Sequence, residues 1–268
     1  MTFIERLDRA TERNNSLLCI GLDVDINKIP HHLMGKENPA LEFNKQIIAA
    51  TCDLVCSYKF NIAFYEVMGE RAWYTIHQSL ARIPYDIPAI GDGKRGDIGN
   101  TSDLYARSLF DDYDFQAVTA SPYMGYDSVE PFLKREGKTT FFLALTSNPG
   151  SKDFQYLNVN GSPLYKKVVE KIVSWDRDGS CALVVGATHA SELAEVRQMV
   201  GSMPILIPGI GAQGGDVQAS VHAGVDANRR RAIFNVSRNV IYASSGEDFA
   251  DAARREALKI RDEINRYR

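Results

Sequence analysis

The chain has 268 residues, 44% of them hydrophobic and 24% charged, with a formal net charge of −3. That length and apolar content exclude a disordered chain and suit a single (β/α)₈ barrel, which needs about 250 residues. The near-neutral charge argues against a general nucleic-acid or anionic-membrane binder.

No run of about 18 apolar residues predicts a membrane span. The first ten residues alternate charged and apolar side chains and lack the core of a signal peptide, so a cytoplasmic protein is expected. Short apolar runs then follow at 16–22, 54–60, 87–92, 115–119, 140–145, 181–185, 204–207 and 232–236. Between them lie stretches of helical period. One carries Met68, Ala72, Ile76 and Leu80, and the last carries Phe249, Ala253, Ala257, Ile260 and Ile264. Apolar strands separated by helices predict a parallel sheet covered by helices, and eight repeats favour closure into a barrel. Nothing reads as a linker or a repeat, so residues 1–268 are expected to form one domain.

Several segments admit bland readings. Residues 148–163, rich in Gly, Asn, Ser and Pro, are expected to be irregular, either a lid or a surface excursion. Cys19 and Cys181 fall inside strand-like runs and read as small buried hydrophobes. Cys52 and Cys56 are four apart and could share a helix face, but they make an incomplete metal site. Trp73 and Trp175 read as packing residues. Tyr123 and Met124, after strand four, are candidates to line the barrel mouth. Arg229-Arg230-Arg231, without interleaved aromatics, reads as a solvated patch rather than an RNA site.

In such barrels the chemistry sits at the C-terminal ends of the strands, and polar residues collect there. Asp23 follows strand one and Lys59 ends strand two. Asp92, Lys94 and Asp97 follow strand three in an Asp-x-Lys-x-x-Asp spacing, and Ser147 follows strand five. Asp92 and Lys94 share a face if the strand continues past them, and Lys59 is on the neighbouring strand. Two carboxylates and two ammoniums would form an alternating network in which each lysine stays protonated. The same four charges could instead merely close the top of the barrel. After strand seven comes Pro208-Gly-Ile-Gly-Ala-Gln-Gly-Gly-Asp216. Strand eight closes with Asn235-Val-Ser-Arg238. A glycine-rich loop, the Gln213 amide, a helix expected to start near Gly215 or Asp216 and present free N–H groups, and the Arg238 guanidinium together suit a phosphate.

At these residues the sequence resembles the orotidine 5′-phosphate decarboxylases, most closely their longer bacterial-type branch. The resemblance covers nearly the whole chain. It is carried by Asp92–Thr101 (Asp-Gly-Lys-Arg-Gly-Asp-Ile-Gly-Asn-Thr), by residues 58–66 and 145–150, by Pro208–Asp216 and by Asn235–Arg238. It implies a homodimeric (β/α)₈ barrel, without cofactor or metal, that turns orotidine 5′-monophosphate into UMP, the last step of de novo pyrimidine synthesis. It further implies that Lys94 protonates C6 as CO₂ leaves, held by Asp92 and Lys59. Asp97, from the partner subunit, would face the substrate carboxylate. Asp23 would bind the ribose, joined by Thr101 of the partner. Ser147 would read the pyrimidine edge, and Gln213 and Arg238 would hold the 5′-phosphate, with Ser237 beside them at the substrate. Gly93 stands where the motif usually has alanine, and Arg229 where the branch often has glycine. Ketogulonate-phosphate decarboxylases and hexulose-phosphate synthases share the strand-three spacing but use Mg²⁺. The continuation to Thr101 and Ser147 favours the nucleotide substrate over theirs. A non-catalytic nucleotide-binding barrel is the alternative from another class.

Overall fold

All eight apolar runs form strands in a computed structural model of the chain, which describes residues 1–210 and 216–268. The strands are β1 Leu18–Gly21, β2 Ser57–Asn61, β3 Ala89–Arg95, β4 Ala117–Ala120, β5 Thr139–Leu145, β6 Cys181–Val185, β7 Ile205–Pro208 and β8 Ala232–Val236. Each pairs in parallel with its neighbours, and β8 pairs with β1 to close a (β/α)₈ barrel. A helix, α1 (Phe3–Arg13), precedes the first strand. The main crossover helices are α2 Pro39–Thr51, α3 Arg71–Leu80, α4 Gly99–Ala106, α5 Tyr126–Leu133, α6 Leu164–Trp175, α7 Ala190–Val200 and α8 Val217–Gly224, and α9 Phe249–Tyr267 closes the ring.

Strand period decides what the barrel contains. Inward-facing Cys19, Ile90, Ala117, Phe141, Ala182, Leu206 and Ile233 form one buried cluster with Phe3 and Leu7 of α1. The N-terminal helix therefore plugs the lower end. It starts cleanly because Thr2 and Glu5 form a reciprocal capping box, and Phe3 meets Phe141 edge-on at 5.6 Å. Two residues further along the same strands the inward positions become polar: Asp92 after Ile90, Thr119 after Ala117, Asn235 after Ile233, and Lys59 after Ser57. One alternation thus stacks an apolar floor beneath a polar layer. The alternate residues, among them Ile20, Tyr58, Phe60, Phe142, Leu183 and Phe234, face outward into the core shared with the helices.

The structure departs from expectation in three places. Residues 148–163 are ordered into a helical turn, Ser151–Phe154, and a hairpin pairing Asn158–Val159 with Ser162–Pro163. Asn160 and Gly161 both have positive φ there, as an Asn-Gly hairpin turn requires. Cys52 and Cys56 do not share a helix face, because α2 ends at Thr51. Cys52 caps that helix, while Cys56 is buried at the barrel floor. Trp73 is half exposed and stacks flat on Tyr113, whereas Trp175 packs edge-on against Phe142. Of the three consecutive arginines, Arg230 pairs with Glu12 at 2.6 Å and Arg231 with Asp8 at 2.7 Å. They fasten α1 to the base of β8.

Arg229 has φ +59, the left-handed region in which glycine costs nothing. Arg229→Gly should shift the melting midpoint by no more than about 2 °C, since relief of strain and added freedom of the unfolded chain are both about 1 kcal/mol. Arg229→Val should lower it by about 4 °C or more. Equal midpoints for the two variants would show that position 229 carries no strain.

Candidate active site

The polar layer at the C-terminal mouth is organised around one ammonium. Lys59 is 4% exposed, and its Nζ lies 3.1 Å from Asp92 Oδ2 and 3.4 Å from Asp23 Oδ1. Burial alone would push its pKa down. The carboxylates of Asp23 and Asp92 outweigh that and raise it well above the ordinary lysine value. Burial would likewise push Asp92 up, but Lys59 and Lys94, with hydrogen bonds from Lys94 and Thr119, hold it far below the usual carboxylate range. Lys94 Nζ donates to Asp92 Oδ1 at 2.6 Å, and the lysine side chain is about half exposed, 48%, at the mouth. The chain of contacts runs Asp23–Lys59–Asp92–Lys94, alternating in sign from a buried centre to an open end.

The path of β3 accounts for Lys94. On the β4 side Gly91 pairs with Val118 and Arg95 with Ala120, so residues 92–94 stand opposite the single residue Thr119 there. The strand bulges instead of continuing straight, and Lys94 takes φ +46. Bulges of this kind re-aim a side chain. Asp92 and Lys94 still meet, though by a bulge and not by simple alternation. Arg95, the next residue, is anchored by an ion pair to Glu66 and lies over the Tyr105 ring. At Gly93 an added methyl would meet Arg95 and Ile62 only at 3.4 and 3.6 Å, so the alanine usual at this place fits.

Asp97 and Thr101 are not brought to this cluster by their own chain. Asp97 accepts from the Ile98 N–H, and Thr101 is exposed on α4. Ser147 leaves β5 packed against Gly186, where an added Cβ would stand 2.8 Å from the serine Cβ. Asp23, Pro208, Gly209, Asn235, Ser237 and Arg238 line a cleft of about 120 Å³ between the ends of β7, β8 and β1. Arg238 is exposed there. Ser237 lies in its wall, but its hydroxyl donates to the Gly21 carbonyl at 2.9 Å and so ties β8 to β1. Gln213 and the other expected glycines at 211, 214 and 215 lie outside the described residues. The helix begins where expected: α8 starts with Asp216 as cap, whose carboxylate accepts from one first-turn N–H, that of Ala219, at 3.1 Å. A larger apolar hollow of about 530 Å³ opens near α2, lined in part by Val24, Ile26, Phe64 and Met68. None of the charged cluster lines it, so charge and not volume locates the site. Tyr123 and Met124 are exposed after β4, 83% and 46%.

Two contributors were invisible as functional residues in the sequence. Thr119 looks like any β-branched strand residue, yet its hydroxyl touches both Asp92 and Lys94. Tyr242, well past β8, accepts from the Asp25 N–H and donates to the Asp23 carbonyl, at 2.6 and 3.1 Å, and so fixes the loop after β1. The only available signal for Thr119 was its place two residues after inward-facing Ala117.

Such a barrel, with a charged cluster at its C-terminal mouth and an arginine-lined cleft beside it, belongs among the (β/α)₈-barrel enzymes. The family described as orotidine 5′-phosphate decarboxylase / HUMPS matches residues 16–254, and the chain belongs to that family. An orotidine 5′-phosphate decarboxylase of Janthinobacterium sp. is 49% identical over 269 residues, covering 100% of this chain and 99% of its own length. One from Herpetosiphon aurantiacus is 47% identical over 257 residues, 95% of each chain. The solved OMP decarboxylase of Leishmania donovani superposes with a TM-score of 0.87 at 36% identity, covering 100% of this chain and 98% of that one.

The shifts of Lys59 and Asp92 carry a sign for stability. Asp92, depressed, stabilises above the ordinary carboxylate range and loses that contribution as pH falls toward its folded value. Lys59, raised, stabilises up to the ordinary lysine range and loses it as pH rises through its folded value. Both stay charged from about pH 5 to 9. Lys59→Met, which strands Asp92 beside one fewer cation, should destabilise by about 3–5 kcal/mol, by the same amount across that range in chemical denaturation. A cost varying by more than about 1 kcal/mol across it would mean that one of the pair titrates there.

Proposed function

We propose that this chain converts orotidine 5′-monophosphate to UMP, as the relatives' names and the site together suggest. The observation that carries the reading is the 2.6 Å contact between Lys94 Nζ and Asp92, backed by buried Lys59, at the open mouth of the barrel. In the reaction the bond from C6 to the carboxylate breaks and CO₂ leaves. The electron pair stays on C6 in the plane of the ring, where the π system does not absorb it. The Lys94 ammonium donates its proton to C6, giving UMP, and the amine regains a proton from water. No cofactor enters this scheme. Fixed charge supplies the stabilisation, and Asp92 keeps the ammonium in place before the carbanion develops.

Magnitudes assign the parts. If Asp97 faces the substrate carboxylate, two charges about 4 Å apart repel by about 4 kcal/mol at an effective dielectric near 20. That is at most about a thousandfold in rate. Slow uncatalysed reactions can need about 10¹⁷-fold, so Lys94 carries the larger share, helped by binding energy from the phosphate. Arg238, beside Ser237 in the small cleft, is placed to grip that phosphate, with Gln213 as its expected companion. Asp23, shared with Lys59 at the edge of the same cleft, supports a role in binding a ribose hydroxyl, and Ser147, after β5, is assigned the pyrimidine edge by the family resemblance alone.

The reading includes a homodimer. Asp97 and Thr101 sit on a segment with exposed Ile98 and Leu104, 55% and 52%, and Tyr123 and Met124 after β4 are exposed as well. Apolar side chains grouped on a surface suit burial by a second copy, which would bring its Asp97 and Thr101 to the neighbouring site.

Lys94→Ala should abolish CO₂ release while UMP still binds; substantial remaining turnover would remove Lys94 from the role of acid. Mixing Lys94→Ala with Asp97→Ala chains should restore part of the activity, because one site in each mixed dimer then lacks both changes. No recovery after verified subunit exchange would assign Asp97 to its own chain's site. Arg238→Ala should raise KM for the nucleotide by about tenfold or more, the loss of a charged hydrogen bond to phosphate. An unchanged KM would move the phosphate elsewhere.

A further inference from the structure

Thr119 lies at the point where the β3 bulge and the charged cluster meet. It is 1% exposed, and on the β4 side it is the single residue opposite 92–94. Its Oγ1 is 2.8 Å from Asp92 Oδ1 and 2.9 Å from the Lys94 amide nitrogen. The direction of both bonds is forced. An amide N–H can only donate, so the hydroxyl oxygen accepts from Lys94. Asp92 is held as a carboxylate, so the hydroxyl proton goes to Asp92. The same Asp92 oxygen accepts the Lys94 ammonium. One hydroxyl therefore fixes both ends of Lys94, the backbone directly and the ammonium through Asp92.

We infer that Thr119 is a positioning residue for the decarboxylation, setting where the Lys94 ammonium stands by holding the bulged, left-handed backbone beneath it. This rests on the proposed role of Lys94. The physical need is clear in the ladder. Because Arg95 resumes pairing with Ala120, the Lys94 N–H lies inside the irregular stretch, and the side chain of Thr119 takes the place of a strand partner. A non-glycine residue keeps positive φ only where its surroundings over-determine it, and this hydrogen bond is the local constraint. Valine has the shape of threonine without the hydroxyl. In its place the lysine backbone is free to leave the left-handed region, and the ammonium moves from its seat while the phosphate and ribose contacts are untouched.

The test is the split between turnover and binding. Thr119→Val should lower kcat about 10- to 100-fold, the loss of a hydrogen bond to a charged group, while the dissociation constant for UMP changes by less than about threefold. Thr119→Ser, which keeps the hydroxyl, should recover most of the rate. A valine variant with kcat within twofold of the parent overturns the inference. So does one whose UMP affinity falls as much as its rate, and so does a serine variant no better than valine. If valine does not fold, Thr119→Cys, whose thiol is a poor hydrogen-bond partner, is judged by the same split. Lys94→Ala, measured alongside, separates the two ideas: if it stays active the role of Lys94 is wrong, whereas an inactive Lys94→Ala with an unaffected Thr119→Val sinks this inference alone.

Discussion

The site depends on a buried ammonium shared by two carboxylates. Lys59 sits inside the barrel, where an isolated charge would cost several kcal/mol. It is kept charged because Asp23 and Asp92 flank it. That arrangement does more than neutralise. It commits one oxygen of Asp92 to Lys59 and leaves the other to Lys94 and Thr119. The outer lysine is thereby tethered to an anion that neither swings nor protonates near neutral pH. A preorganised charge of this kind needs no rearrangement when charge develops in a substrate.

The floor of the barrel makes this possible. Phe3 and Leu7 of α1, with the inward apolar side chains, exclude water from below. The charged layer is therefore wet only from the mouth. Arg231 and Arg230, paired with Asp8 and Glu12, pin α1 to the strand base from outside. Stability and the electrostatics of the site are thus coupled: loosening the plug would admit water beneath Lys59 and weaken the interactions that hold Asp92 ionised.

Much of the molecule was legible in advance. Eight apolar runs with helices between them were enough for a closed parallel barrel, because strand interiors must be apolar and strand ends meet at one mouth. Lys59, Asp92 and Lys94 were legible as one cluster because they fall at the ends of neighbouring runs, but Asp97 was expected as its second carboxylate, and Asp23 takes that place beside Lys59. The hairpin at 158–163 is encoded locally by its Asn-Gly pair, although the composition around it is that of an irregular segment. Thr119 and Tyr242 were not legible. A threonine within a strand and a tyrosine after one have ordinary packing roles, and only distance shows which polar atoms they meet.

The sequence by itself determined the architecture and the charged residues of the mouth, since both follow from periodicity and from the cost of burying charge. Tertiary structure decided how those charges are aimed. The bulge in β3, the positive φ of Lys94 and the capture of its N–H by Thr119 arise from pairing between strands whose register no local pattern encodes. It also kept Asp97 and Thr101 from the cluster of their own chain: Asp97 turns back onto the Ile98 N–H, and α4 holds Thr101 out in solvent.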